Sequence, residues 1–319
     1  MHRIAVIIPV KNDPRIVPAL DKLISIGGFR DGLSIVVVDN GSSDRNYNEM
    51  QNYCRTQPQV VLLRELGAGS YVARNSGIRY ALNELDAEVL AFIDSDCIVS
   101  DDWLSAISNT FENDAVAAVT GKSFGINKNP IALYEQMLYD RIVADFLNES
   151  ALKRVDTRNF AVRSNVLKKT GLFLPVRYGG DMEFGARIHK LGMLSIYSSE
   201  MILYHENPCH LGDLLIKRVR QNHGNHQLHD YCETSYLETY LPHLFKYRPV
   251  GFIQKFVLFI HYLVLIFNRY TEFRFAHLLC LTISKLSPRI GFLYFKVMVS
   301  RACRLGDISY FLGLPSQQV

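Results

Sequence analysis

Val89-Leu90-Ala91-Phe92-Ile93-Asp94-Ser95-Asp96 is an unbroken apolar run that stops on two carboxylates two positions apart. A short continuous apolar run of this kind reads as a strand buried on both faces, as the strands of a parallel sheet are. Ser34-Ile35-Val36-Val37-Val38-Asp39 ends the same way, on an aspartate. Further strands are expected at Ile4 to Pro9, Val60 to Leu63 and Ala115 to Val119. Helical patterns fall between them, the alternation of βαβ units. After the first strand, Asp13 is placed to cap a helix with Pro14 in its first position and Gly27-Gly28 just past its end. Ligands of open α/β sheets bind beyond the carboxyl ends of the strands, where loops present charged groups without burying them, and that is where Asp39 and Asp94 stand.

With 319 residues and 48% hydrophobic content the chain can bury a substantial core. The opening run from Ile4 is broken at once by Lys11 and reads as a buried strand, not as a secretory signal. Six scattered cysteines without Cys-x-x-Cys spacing suggest neither a zinc site nor a disulfide framework, which fits a reducing cytoplasm. From Asn207 onward, 13 Lys and Arg stand against 6 Asp and Glu, a balance of +7; before it, 22 stand against 25, a balance of −3. The same position marks a change to long helical patterns, beginning with Leu211, Leu214, Leu215 and Val219. Residues 1–206 are therefore expected to form one α/β domain and residues 207–319 a helical, basic and apolar region.

In that tail the cations alternate with Phe, Leu, Ile and Tyr, which points toward an anionic membrane surface and away from nucleic acid. The uncharged run from Phe256 to Asn268 is shorter than the roughly 20 residues that span a bilayer. Together with Phe275 to Ile283 and Ile290 to Val299, it reads either as helices lying in an interface or as core helices and a partner's docking site. The expected location is cytoplasmic, peripheral on the inner face of the membrane; a homo-oligomer stays open.

Asp94-Ser95-Asp96 is an Asp-x-Asp pair at a strand end, able to hold a hard cation that in turn binds two phosphates. Alone, it equally describes aspartates that cap the next helix. Other motifs join it in order. They are Val6-Ile7-Ile8-Pro9-Val10-Lys11-Asn12, Val37-Val38-Asp39-Asn40-Gly41-Ser42-Ser43-Asp44, Gly67-Ala68-Gly69-Ser70-Tyr71-Val72-Ala73-Arg74-Asn75, Tyr178-Gly179-Gly180-Asp181-Met182-Glu183 and Ile202-Leu203-Tyr204-His205.

From Ile4 to about Gly224 this series resembles the family 2 glycosyltransferases, whose nucleotide-binding half has the GT-A fold: a mixed, mostly parallel central sheet flanked by helices. The resemblance implies a nucleotide-sugar donor site at Pro9, Asn12, Asp39, Arg74 and Asp94, with Asp39 on the base and Asn75 supporting the loop. It implies Asp181 as catalytic base, Asp96 and His205 as ligands of Mg2+ or Mn2+, and Lys217, Arg218 and Arg220 as a basic helix near the diphosphate. Where the family's motif has a glutamate before the base, this chain has Gly180, so Glu183 is a candidate for holding the acceptor. The implied reaction is inverting, from a UDP-sugar to a hydroxyl of a glycan or lipid-linked acceptor. Gln221-Asn222-His223-Gly224 lacks the Gln-x-x-Arg-Trp of processive synthases, so a single transfer per encounter is expected.

A dinucleotide oxidoreductase is disfavoured by a first turn without a glycine fingerprint. A nucleotidyltransferase, or a non-catalytic nucleotide-sugar-binding scaffold, remains the alternative.

Overall fold

The computed structural model describes residues 2–27, 32–147, 155–242 and 269–311. The chain forms two compact units. One comprises residues 1–126, 143–176 and 180–206, the other residues 127–142, 177–179 and 207–319.

The first unit runs β1 (Ile4–Val10), α1 (Ile16–Gly27), β2 (Leu33–Asp39), α2 (Asp44–Cys54), β3 (Val60–Arg64), α3 (Ser70–Asn83), β4 (Val89–Ile93), β5 (Cys97–Val99), α4 (Trp103–Thr110) and β6 (Val116–Gly125). After α5 (Pro130–Leu147), which begins in the second unit, come β7 (Asn159–Arg163), α6 (Ser164–Thr170), α7 (Gly180–Lys190) and β8 (Leu194–His205). One sheet has the order β3-β2-β1-β4-β7-β6-β8-β5. It is mixed and mostly parallel, as expected; β7 runs antiparallel to both β4 and β6, and β5 antiparallel to β8.

The apolar runs become strands because helices cover both faces. Alternate residues of one strand serve opposite cores. Val6, Ile8, Ile35 and Val37 pack with Leu20, Leu23 and Trp103. Phe92, from the same strand as Ala91 and Ile93, joins a separate aromatic group: Phe160 lies 5.8 Å away and Phe173 5.6 Å away, and Phe173 reaches Phe184 at 4.6 Å.

Three details differ from expectation. Helix α1 begins at Ile16, not at Pro14, and Gly27 is its last residue. Asp13 spends its carboxylate on the Arg15 side chain and on the Arg15 N–H, at 3.1 Å, holding Pro14-Arg15 in a turn. Strands β5 and β7 were not expected. Finally, β8 is a long strand of which only the last residues were read.

In β8, three residues, Ser199, Glu200 and Met201, bulge out between the pairs Gly121↔Ser198 and Lys122↔Ile202. Buried Asn159 secures this irregularity. Its Nδ2 donates to the carbonyls of Lys122 and Met201, at 2.9 and 2.8 Å, while its Oδ1 accepts from the Trp103 indole at 2.9 Å. With every polar atom of the amide satisfied, the buried group specifies one arrangement of three strands.

The second unit is helical: α8 (Leu211–Asn225), α9 (Thr234–Tyr240), α10 (Arg269–Leu286) and α11 (Pro288–Phe311), with the start of α5. Leu211, Leu214, Leu215 and Val219 pack against Phe295, Met298 and Ala302. The Tyr134 hydroxyl bridges Ser284 Oγ and the Pro288 carbonyl, at 2.8 and 3.0 Å, pinning the α10–α11 turn. The apolar stretches at 275–283 and 290–299 belong to these helices, while the run from Phe256 to Asn268 lies outside the described residues. No helix among the described residues is long and apolar enough to cross a membrane.

Candidate active site

Strands β2, β1 and β4 lie side by side, so their carboxyl ends gather the loops that carry most of the expected site. Pro9 is opposite Val38, but β4 pairs only with Ile4 to Ile7. The proline therefore stands past the end of one neighbour, where its missing donor breaks no ladder. Asn12 adopts a left-handed φ of 52°. Its N–H donates to Ser42 Oγ at 2.8 Å, and its Oδ1 accepts from the Ser43 N–H and the Asn46 amide, at 2.8 and 3.0 Å. That side chain is a clamp between two loops.

Asp39 is fully buried at the tip of β2. One oxygen accepts from the Ser42 N–H at 3.1 Å. The other, Oδ2, has Arg64 Nε at 3.5 Å and no hydrogen bond. A buried carboxylate oxygen without a hydrogen bond is uncommon, because a charge at that distance offsets its desolvation only in part.

Helix α3 begins from Gly69, whose φ of 121° is a conformation that residues with a side chain rarely adopt. Asn40 fixes this turn, accepting from the Gly69 N–H at 3.0 Å and donating to the Gly67 carbonyl at 2.6 Å. One turn on, Arg74 is buried with its Nη2 on Asp94 Oδ1, while its Nε has no partner. Asn75 closes both halves of its amide on the backbone of Phe173, at 2.8 and 3.1 Å, and so supports the loop before α7.

Asp96 leads into β5, where Cys97 pairs with His205. Register thus brings His205 beside the second aspartate of the Asp-x-Asp pair. Burial, and then the nearby Asp94 charge, push the Asp96 carboxyl above its usual range, partly offset by Arg15. His205 is buried, with its Nε2 2.9 Å from Arg158 Nη1.

Among the described residues, no group of three or more His, Cys, Asp or Glu converges as a ready-made metal cluster. Each of the three expected groups faces an arginine instead: Arg74 engages Asp94, Arg15 lies 3.7 Å from Asp96, and Arg158 faces His205.

Arg15, Asp13, Arg158, Asp156 and Glu206 were missed by sequence reasoning. Arg15 bridges Asp13 and Glu206, the latter at 3.1 Å, and Asp156 holds Arg158 at 2.8 Å. Burial works against ionisation of Asp13, but hydrogen bonds from Arg15 and Ser95 prevail and keep its carboxyl below the usual range. A cleft of about 410 Å³ opens here, lined by Arg15, Asp96, Ile98, Ile126, Tyr204 and Glu206. The pairs Asp13–Arg15 and Asp156–Arg158 are local, but the partners Glu206 and His205 that bring these arginines to the site are remote in sequence.

Asp181 stands in the first turn of α7, its Oδ1 accepting from the Met182 N–H at 2.8 Å. Glu183 is engaged within the protein. It is only 2% exposed and holds Arg187 at 2.8 Å, which also donates to the carbonyls of Thr170 and Leu172. In the second unit, Arg218 on α8 pairs with Glu135 and Gln221, and the Nε atoms of Arg218 and Arg220 are buried without a hydrogen-bond partner.

A mixed, mostly parallel sheet whose strand ends collect aspartates, followed by a helix with an aspartate in its first turn, is the arrangement of a GT-A-type transferase fold. The fold matches the mannosyltransferase PcManGT from Pyrobaculum calidifontis, solved in complex with GDP-Man and Mn2+, with a TM-score of 0.62 at 17% identity over 97% of this chain and 87% of that one. Residues 5–170 match Glycosyl transferase family 2, and the chain belongs to that family.

It is similar to the glycosyltransferase AglE of Haloferax volcanii, 29% identical over 70% of this chain and 73% of that protein. A pre-mycofactocin glycosyltransferase of Mycobacterium tuberculosis is 25% identical over 68% of this chain and 46% of its own length. The chain is a glycosyltransferase.

Proposed function

We propose that this glycosyltransferase is metal-dependent and inverting, moving a hexose from a nucleoside diphosphate sugar to a hydroxyl acceptor. The observation that supports it most is Asp39 Oδ2, a buried carboxylate oxygen at a strand end without a hydrogen bond. An imino N–H of uracil or guanine is the donor it lacks. Uridine diphosphate is the first choice through the family resemblance; the GDP-Man bound by the structural neighbour makes guanosine diphosphate the second.

Asp181 is the base in this reading. It takes the acceptor's hydroxyl proton while the oxygen bonds to the anomeric carbon; the bond to phosphate breaks, its electron pair leaves with the diphosphate, and configuration inverts. General-base assistance of this kind contributes about 10²- to 10⁴-fold. Arg74 would face the nucleotide.

The donor set suits a hard divalent cation: two carboxylates two residues apart, one held above its usual range by burial and by the other, with an imidazole beside them in register. Asp96 and His205 would hold Mg2+ or Mn2+ directly and Asp94 through water. When bound, the ion neutralises charge developing on the diphosphate. The deciding experiment is a panel of UDP-, GDP- and dTDP-hexoses tested for hydrolysis and transfer with Mn2+ and with excess EDTA. Turnover of one nucleotide class, abolished by chelation, is expected; full activity in EDTA would refute the metal role.

For the acceptor we propose a lipid-linked or surface glycan approached at an anionic membrane. Helices α10 and α11 expose Leu278, Leu286, Ile290, Leu293 and Val297 alongside Lys285, Arg289 and Lys296. No Asp or Glu occurs between Glu272 and Asp307, while six Lys and Arg do. Each cation near such a surface contributes about 1 kcal/mol, and the apolar side chains insert shallowly.

A further inference from the structure

Arg64 closes the edge strand β3, and register sets it opposite Asp39 at the tip of β2. Its guanidinium is steered from three sides. Nε lies 3.5 Å from Asp39 Oδ2, Nη2 lies 3.5 Å from Asp44 Oδ1, and Cζ stands over the Tyr47 ring, 4.4 Å from its centre. Asp44 and Tyr47 are one turn apart on α2, so a single helix face presents both to the arginine.

These contacts orient Arg64 without using it up. The pair with Asp39 does not close into a hydrogen bond, and Nη1 takes part in none of the three contacts. The arginine side chain is 37% exposed and that of Asp39 0%. A buried acceptor and a reachable donor thus stand side by side at the carboxyl end of the sheet, both with bonding capacity to spare. A ligand that carries the complement of the two, side by side, recovers what the acceptor lost on burial.

Uracil, thymine and guanine each carry a ring imino N–H next to an exocyclic carbonyl. Cytosine and adenine carry the inverse, a bare ring nitrogen next to an exocyclic amine. We propose that Arg64 is a base-reading residue of the donor site: while Asp39 accepts the imino N–H, Arg64 donates to the neighbouring carbonyl. This rests on the reading of Asp39 as the base contact. A cytosine or adenine seated in the same way sets lone pair against carboxylate and amine against guanidinium, and a site built on hydrogen bonds rejects an analogue that leaves its groups unpaired. The Tyr47 ring holds the plane of the guanidinium, and with it the direction of its N–H groups.

The test is calorimetric titration of the full-length chain, with Mn2+, against UDP, GDP, CDP and ADP. Wild type is expected to bind UDP or GDP at least about 10-fold more tightly than CDP and ADP. Arg64→Met, which keeps the length and removes every donor, should weaken the favoured nucleotide about 10-fold and leave CDP and ADP within about twofold, so that the discrimination collapses. A second measurement needs no variant. Analogues of the favoured nucleotide with sulfur in place of a base carbonyl oxygen, 2-thio- and 4-thio-UDP or 6-thio-GDP, present a poor acceptor, and one of them should bind wild type about 10-fold more weakly than the parent.

A base preference in Arg64→Met within about twofold of wild type, a loss shared equally by all four nucleotides, or thio analogues that bind like their parent would each overturn the inference. If Asp39→Asn leaves the affinity for every nucleotide unchanged, the reading of Asp39 is what failed. A wild type that prefers CDP or ADP, or prefers no base, removes both.

Discussion

The carboxyl ends of β2 and β4 and the start of α7 treat their charged residues in opposite ways. At the end of β2, and on α3 where Arg74 meets Asp94 after β4, polar atoms are buried without a hydrogen bond: Asp39 Oδ2 and Arg74 Nε have no hydrogen-bond partner. At α7, Glu183 is buried and closed on Arg187, which is itself closed on two carbonyls. Open valences in a dry place are costly unless a ligand fills them, whereas a closed buried pair is architecture. Acidity near a site is therefore no measure of a role in it; what counts is whether the protein has already used the group.

The sharpest way to break this contrast is at two neighbours on α7. Asp181→Asn is expected to reduce transfer by about 10²- to 10⁴-fold while leaving the unfolding temperature close to wild type. Glu183→Ala should do the reverse. Leaving Arg187 without its buried partner costs roughly 3 kcal/mol of stability, read in a denaturant titration. Should Glu183→Ala fold normally and lose acceptor affinity instead, the closed pair belongs to the site after all.

Next in size is Asp39→Asn at the strand-end region. Removing a charged acceptor from a nucleoside base should weaken nucleoside diphosphate binding by about 10- to 100-fold in calorimetry. Binding unchanged for every base would show that the open oxygen is not the base contact.

The smallest effect concerns the second unit. Leu293→Asp on the exposed side of α11 should lower co-sedimentation with anionic vesicles a few-fold. Salt should weaken wild-type binding without abolishing it, since screening removes only the electrostatic share. A full-length chain that stays in the supernatant at low salt would leave the exposed apolar residues to a protein partner or a second copy.

Much of the fold was legible because its signals are local. Apolar runs gave β1 to β4 within a residue or so at the ends that position the site, and the start of β6, which continues past the expected Val119 to Gly125; Asp39 and Asp94 stand out because each follows an apolar run, and Arg74 through the family resemblance of the glycine turn before it. Strand β5 spans only Cys97–Val99, too short for periodicity to register, and β7 is Asn159–Arg163, whose polar ends hide a buried middle. The start of α1 was misplaced since Asp13 is used on Arg15 and Ser95, and Ser95 is 82 residues away. Arg15 meets Glu206 across 191 residues. Side-chain partners at such separations leave no trace in a window of sequence.

The bulge held by Asn159 has a consequence of another kind. Successive strand residues face opposite ways, so skipping three of them, an odd number, exchanges the two sides of β8 from Ile202 onward. Which way His205 looks is thus set by parity and not by the chemistry of Ser199, Glu200 or Met201. Ser199 and Glu200 are exposed and open to substitution, whereas Met201 is buried in the core and held through its carbonyl by Asn159; a change that slipped the pairing of His205 with Gly125 by one residue would turn the histidine to the far side of the sheet while leaving every motif in the sequence intact.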